Sequence, residues 1–213
     1  MATIGFKGLY VATYAENGST VTYTGCKSMG KPMDCDMKLK SAEGRLYAAD
    51  ALDKYKSKIT GGTLSIIAED VPDDVRKLMT GEEDSARSVS STSVNGLKIT
   101  ESTRAPYVGV AGYAPEDVNG EDKFHAFFTT KNRFISRNMH WKTMGDNIEF
   151  QVPTFVGEFM KGANGDIFED AVLDTEADAI AWCNLVLGNS GVAAAAVKST
   201  APLKAAPKSG GSK

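Results

Sequence analysis

Met33-Asp34-Cys35-Asp36-Met37-Lys38-Leu39-Lys40 alternates an apolar with a charged side chain at every step. A period of two marks a strand with one face on a core and the other in water, and so clean an alternation belongs to an antiparallel sheet. It predicts Met33, Cys35, Met37 and Leu39 packed inward, with Asp34, Asp36, Lys38 and Lys40 in solvent. The neighbouring sequence follows the same period. Leu9-Tyr10-Val11-Ala12-Thr13-Tyr14 and Val21-Thr22-Tyr23 flank Glu16-Asn17-Gly18-Ser19, whose Asn-Gly supplies the positive φ angles of a tight hairpin. Further strands are expected near 45–56, 58–68, 107–114, 123–137, 147–160 and 167–173. Ile148, Phe150 and Val152 share one parity and Phe155 and Phe159 the other, which predicts a bulge or bend at Pro153.

Two segments have helical spacing instead. In VPDDVRKLMTG, Pro72 suits a first turn, Asp73 and Asp74 sit at the positive dipole end, Val75, Leu78 and Met79 form an apolar stripe, and Gly81 stops the helix. In TEADAIAWCNLVLG, Thr175 caps, Ala179, Trp182, Cys183, Val186 and Leu187 share a face, and Gly188 closes. Between them the polar stretch over 82–104, with Glu82, Glu83, Asp84, Arg87 and Arg104 as candidate inter-subunit contacts, is long enough to predict a flexible loop that orders on a partner.

Composition bounds the class. The chain has 213 residues, 24 Lys and Arg against 27 Asp and Glu, and 42% hydrophobic residues, which fits one soluble globular core. Gly 21 against Pro 7 makes glycine the main turn residue. No apolar run reaches the roughly 20 residues of a membrane helix, and the opening stretch lacks the apolar core of a signal peptide, so neither membrane insertion nor secretion by that route is expected. Cys26, Cys35 and Cys183 have no CxxC spacing and are expected as buried thiols in a reducing compartment. Four lysines after Asn189 leave residues 1–188 at a formal net charge of −7. The organisation read from this is a β domain over 1–174, a helix over 175–188, and a basic tail over 189–213 whose Ala, Gly, Ser, Pro and Lys content predicts disorder in the lone subunit.

The chemical motifs are weak. GCKSMGKP at 25–32 fits G-x-x-x-x-G-K but has Pro32 where a phosphate loop needs Ser or Thr, and a strand rather than a helix follows. Asp117-Val118-Asn119-Gly120-Glu121-Asp122 has its glycine two positions too early for a calcium loop and reads as an Asn-Gly turn. His125 and His140 have no second ligand at a metal spacing, and Ser88, Ser90, Ser91 and Ser93 lack a marked base. Neither a catalytic group nor a metal or cofactor site is predicted. Lys98, Arg104, Lys131, Arg133, Arg137 and Lys142 are too loosely spread for a nucleic-acid-binding patch.

Five blocks in order resemble the major tail protein family of long, non-contractile-tailed bacteriophages. They are IGFKGLYVA at the start, LYAAD at 46–50, GGTLSIIAEDVPDDVRKLMTG at 61–81, APYVGVAGY at 105–113 and MGDNIEFQVPTFVGEF at 144–159. The match covers residues 1 to about 174 and does not extend to 82–104 or beyond Asp174. The resemblance implies a β-sandwich or partial barrel with a flanking helix, and homo-oligomeric hexameric rings stacked into a tube. The joined inner sheets would line the channel for double-stranded DNA in the virion tail, assembled in the host cytoplasm. It also implies a tape measure protein, a tail terminator and a distal tail protein as partners. On that reading Asp34, Asp36, Lys38 and Lys40 are candidates for the lumen wall, where an acidic or neutral surface would let a polyanion slide. A carbohydrate-binding β-sandwich is the competing class, with Trp141 beside Arg137 as its candidate contact.

Overall fold

The computed structural model describes residues 2–48, 51–143 and 150–189. The basic tail beyond Asn189, residues 49–50 and the stretch 144–149, which includes Ile148, lie outside the described residues. The strands are β1 (Ala2–Thr3), β2 (Gly8–Asn17), β3 (Thr20–Ser28), β4 (Lys31–Ala48) and β5 (Ala51–Glu69). After α1 (Asp73–Thr80) come β6 (Glu83–Val89), β7 (Thr92–Lys98), β8 (Val108–Val118), β9 (Glu121–Asn138), β10 (Thr154–Met160) and β11 (Phe168–Leu173). α2 (Glu176–Val186) is the last element among the described residues. The fold is mainly antiparallel β with two short helices, as the period-two reading requires.

One nine-stranded sheet runs β3-β2-β8-β9-β10-β5-β4, with β1 added to β8 and β11 to β9. It curls on itself into a partial barrel. Leu9 and Val11 of β2 and Val108 and Val110 of β8 share a buried cluster with Leu64 and Ile66 of β5, Phe134 of β9 and Phe155 and Phe159 of β10. Helix α1 inserts Val75 and Met79 into this inner core. The outer face of the β2-β8-β9-β11 half is covered by α2, whose Ala179, Trp182 and Cys183 pack with Ala12, Ala111, Tyr113, Ala126 and Phe128. Among the described residues no helix covers the outer face of the other half.

The helices form where their signals lie. Pro72 is the α1 cap, its carbonyl accepting from Val75 and Arg76, and Gly81 takes φ 73° to end the helix. Thr175 caps α2 by accepting from the Asp178 amide at 3.1 Å. The Asn119–Gly120 turn has positive φ at both residues, as a two-residue hairpin of that type needs.

Five expectations are corrected. The β2–β3 turn is Gly18–Ser19, with Asn17 paired to Thr20, so glycine stands first in the turn rather than second. Residues 45–56 are not one strand: they straddle the tip of a long β4–β5 hairpin. Of the strand expected over 147–160, residues 147–149 lie outside the described residues, 150–153 are not strand and β10 begins at Thr154; its irregularity falls between Val156 and Gly157, where Ile135 of β9 is the extra residue, and not at Pro153. Met33 and Leu39 are exposed, because Met33 sits in a bulge between Pro32 and Asp34 and Leu39 faces Gly62 where the core ends; only Cys35 and Met37 pack inward. The stretch 82–104 is largely the β6–β7 hairpin rather than a loop, and Ser90 and Ser91 make its turn with φ 47° and 66°.

Phe134 is fully buried and Phe150 is 91% exposed. Phe134→Ala is expected to cost about 3–5 kcal/mol through lost burial and a residual cavity. Phe150→Ala should leave stability within about 0.5 kcal/mol of the parent. Equilibrium denaturant unfolding of the two variants checks both.

Candidate functional site

The outer sheet face of the half that α2 does not cover carries a polar surface with regular geometry. Register places Asp36, Ser65 and Val156 in one row across β4, β5 and β10, and Lys38, Thr63, Glu158 and Arg133 in the next, extending to β9. Asp34, Asp36, Lys38 and Lys40 therefore do share one exposed face, as the alternation predicts. Their lysines pair within the subunit, Lys38 with Asp36 at 2.7 Å and Lys40 with Glu158 at 2.6 Å. At the border with the α2-covered half, Lys131 donates to Glu16 at 2.9 Å and lies 4.9 and 4.5 Å from the ring centroids of Tyr14 and Tyr107. Hydrogen bonds from Tyr14 and then Lys131 hold the Glu16 carboxyl below the usual carboxylate range. On this face Lys38, Lys40, Lys131 and Arg133 balance Asp34, Asp36, Glu158 and Glu16, so it is charged but close to neutral.

Beyond Lys40 and Gly61 the β4–β5 hairpin leaves the body. Thr60 is an extra residue whose hydroxyl donates to the Lys40 carbonyl at 3.2 Å, and a Cβ at Gly61 would stand 2.3 Å from the Phe159 carbonyl oxygen. This bulge and close approach require the glycine and redirect the ribbon. Residues 41–47 and 53–60 are exposed on both faces. At about 3.3 Å per residue the arm reaches about 30 Å. One face pairs Arg45 with Tyr55, the guanidinium 5.6 Å from the ring centroid, and carries Ile59 beyond the Glu43–Ser57 pair; the other carries Leu46 opposite Lys54. A two-stranded ribbon with exposed Leu46, Tyr47, Tyr55 and Ile59 is marginal by itself.

The arm was not separated from its neighbours by sequence reasoning. Its tip has no Gly, Pro or Asn to announce a turn, although Lys54, Lys56 and Lys58 alternate with Tyr55, Ser57 and Ile59 as a strand should.

The charged residues expected to face another subunit divide into two sets. Glu83, Asp84 and Arg87 lie on the projecting β6–β7 hairpin, with Glu83 held by Lys98 at 3.5 Å and Asp84 by Lys77 at 3.0 Å. Glu82 does not belong with them: its side chain is 1% exposed and sits between Arg76 at 2.8 Å and Arg137 at 3.5 Å. It clamps the hairpin base to α1 and β9. Arg104 turns back on its own loop, donating to the Glu101 and Thr103 carbonyls. It lines a cavity of about 450 Å³ with Glu82, Arg133 and Arg137.

Other candidates are quickly placed. Trp141, 80% exposed, and Arg137 line one cavity of about 260 Å³ with His140 and Gln151. His125 stands 3.1 Å from Asp170. Among the described residues no group of three His, Cys, Asp or Glu could hold a metal ion, and no helix is long and apolar enough to cross a membrane. Residues 25–28 of the phosphate-loop-like segment lie in β3 and Lys31 opens β4, so no helix N-terminus is present there. Burial pushes the thiols up, Cys26 to about 11 and both Cys35 and Cys183 to about 12. No family model matches the chain, and no curated protein matches it significantly.

Two predictions follow from this geometry. Glu82→Ala leaves Arg137 without its acid and Arg76 with only the exposed Asp73, at 2.8 Å, and should lower stability by about 3 kcal/mol, whereas Arg87→Ala, on the exposed hairpin, should change it by less than about 0.5 kcal/mol; thermal melts of both read this. Native Cys35 and Cys183 should resist iodoacetamide at pH 8, far below their pKa, and label rapidly only in denaturant, as counted by mass spectrometry.

Proposed function

We propose that this chain is a structural subunit of a self-assembling tube, the major tail tube protein of a long, non-contractile-tailed bacteriophage. The observation that carries the reading is the β4–β5 arm: a ribbon about 30 Å long, exposed on both faces, attached to a rigid curled sheet. A chain that places so much unpartnered ribbon outside its core is built to contact another molecule, and the β6–β7 hairpin repeats the device. The five-block sequence resemblance supplies the class, with hexameric rings, stacking and a virion location.

In this reading no side chain performs catalysis. The uncovered sheet face is the conduit wall, with Asp34, Asp36, Lys38 and Lys40 toward the lumen. Its balanced charges offer DNA few unpaired cations, so counterion release on contact is small and the polyanion slides. The exposed Trp141 beside Arg137 favours a second reading, a carbohydrate-binding module, because a flat aromatic ring next to a fixed hydrogen-bond donor suits a sugar face.

Negative-stain microscopy of the purified protein separates the two: six-membered rings or hollow tubes are expected, and a monodisperse monomer retained on glycan arrays would overturn the tube reading. Within that reading, Asp34→Lys with Asp36→Lys should leave the fold intact and slow genome ejection by adding phosphate contacts. Ejection at the parental rate and salt dependence would remove this face from the conduit wall.

A further inference from the structure

β10 ends at Met160, opposite Gly61 of β5 and Lys131 of β9, and there the sheet forks. On one side of the fork the distal part of β5 continues paired to β4 alone; on the other, β11 is paired to β9 alone. Two strand edges are thus left with free backbone donors and acceptors among the described residues, a template for strand addition. Their charges are opposite.

The β5 edge carries Lys54, Lys56 and Lys58 on one face, about 7 Å apart at two residues per repeat, all exposed and none in an ion pair among the described residues. The cross-strand neighbours on that face are Leu46, Gly44 and Ala42, which offer no acid. The β11 edge carries exposed Glu169 on one face and exposed Asp170 on the other, so either face presents one carboxylate. Between Gly162 and Gly188 the chain has six acidic residues and no Lys or Arg, two of the six, Asp174 and Glu176, being paired with Lys123 and Lys7. Glu169 has no ion pair among the described residues, and Asp170 has only His125.

We propose that the lysine edge of the β4–β5 arm docks on the acidic β11 edge of a second copy of this chain. The contact joins different surfaces of the two copies, so it propagates instead of closing as a dimer. Within one chain the arm stays exposed along its described length, so that contact is made only between copies. The overall negative charge of residues 1–188 favours a copy of the same chain over a nucleic acid, whose phosphates the body would repel. This rests on the reading of the chain as a self-assembling subunit and names the surfaces that meet.

A charge exchange tests it. Lys54→Glu/Lys56→Glu/Lys58→Glu makes both edges acidic, and Glu169→Lys/Asp170→Lys makes both basic. Each variant alone should self-associate about tenfold or more weakly than the parent in sedimentation velocity, and an equimolar mixture should recover association, more strongly at low salt. Melting curves matching the parent exclude misfolding, since both sites lie outside the core. If the lysine variant associates like the parent, or the mixture stays dissociated, the docking is wrong. If the parent retards double-stranded DNA in a gel and the lysine variant loses only that property, the arm serves a polyanion and the proposal falls. A mixture that associates without forming rings or tubes would keep the docking and remove the tube reading; tubes from the lysine variant would do the reverse.

Discussion

Strand β9 has to satisfy backbone donors and acceptors on both edges over 18 residues, and the rest of the molecule is arranged by how that demand is met. One edge is served by β8; the other is shared by β11 and then β10. A register shift against β8 and the extra residue Ile135 against β10 bend the strand between its two halves. That bend lets a single sheet curl around Phe134, Phe155 and Phe159, and it also leaves room for the fork from which the arm departs.

The helices then decide which sheet surfaces remain available. α1 seals the inner core with Val75 and Met79, and α2 covers the outer face of one half of the sheet. The remaining outer half carries charged side chains of β4, β9 and β10 with Ile67, Ser65, Thr63 and Val156 between them. Glu82 between Arg76 and Arg137 fixes the β6–β7 hairpin to α1 and β9, so a projecting element with little core of its own starts from a rigid base. Removing one member of such a group exposes the cost of the others' desolvation, which is why this acid is structural although its neighbours in sequence are surface residues.

Both projecting hairpins place hydrogen-bonded ribbon outside the core. An isolated two-stranded ribbon buries little apolar area and contributes little to folding. The β4–β5 arm keeps its direction through Thr60 and Gly61, a local steric device independent of the arm's own contacts.

Local patterns were legible without tertiary structure. The alternation from Met33 to Lys40 identified an antiparallel strand and its solvent face, the Pro-Asp-Asp and Thr-Glu-Ala-Asp starts located both helices, and Asn119-Gly120 marked a hairpin, because backbone sterics and burial period act over a few residues. Long-range placement was not legible. Met33 and Leu39 are apolar by pattern yet exposed, since the core ends beside them; Glu82 is charged yet buried, since Arg76 and Arg137 arrive from 6 and 55 residues away to pair with it. The arm is strand by local alternation, but whether a strand lies in a sheet or projects from it depends on where β10 stops, and that is set by tertiary packing around Phe159 and Gly61.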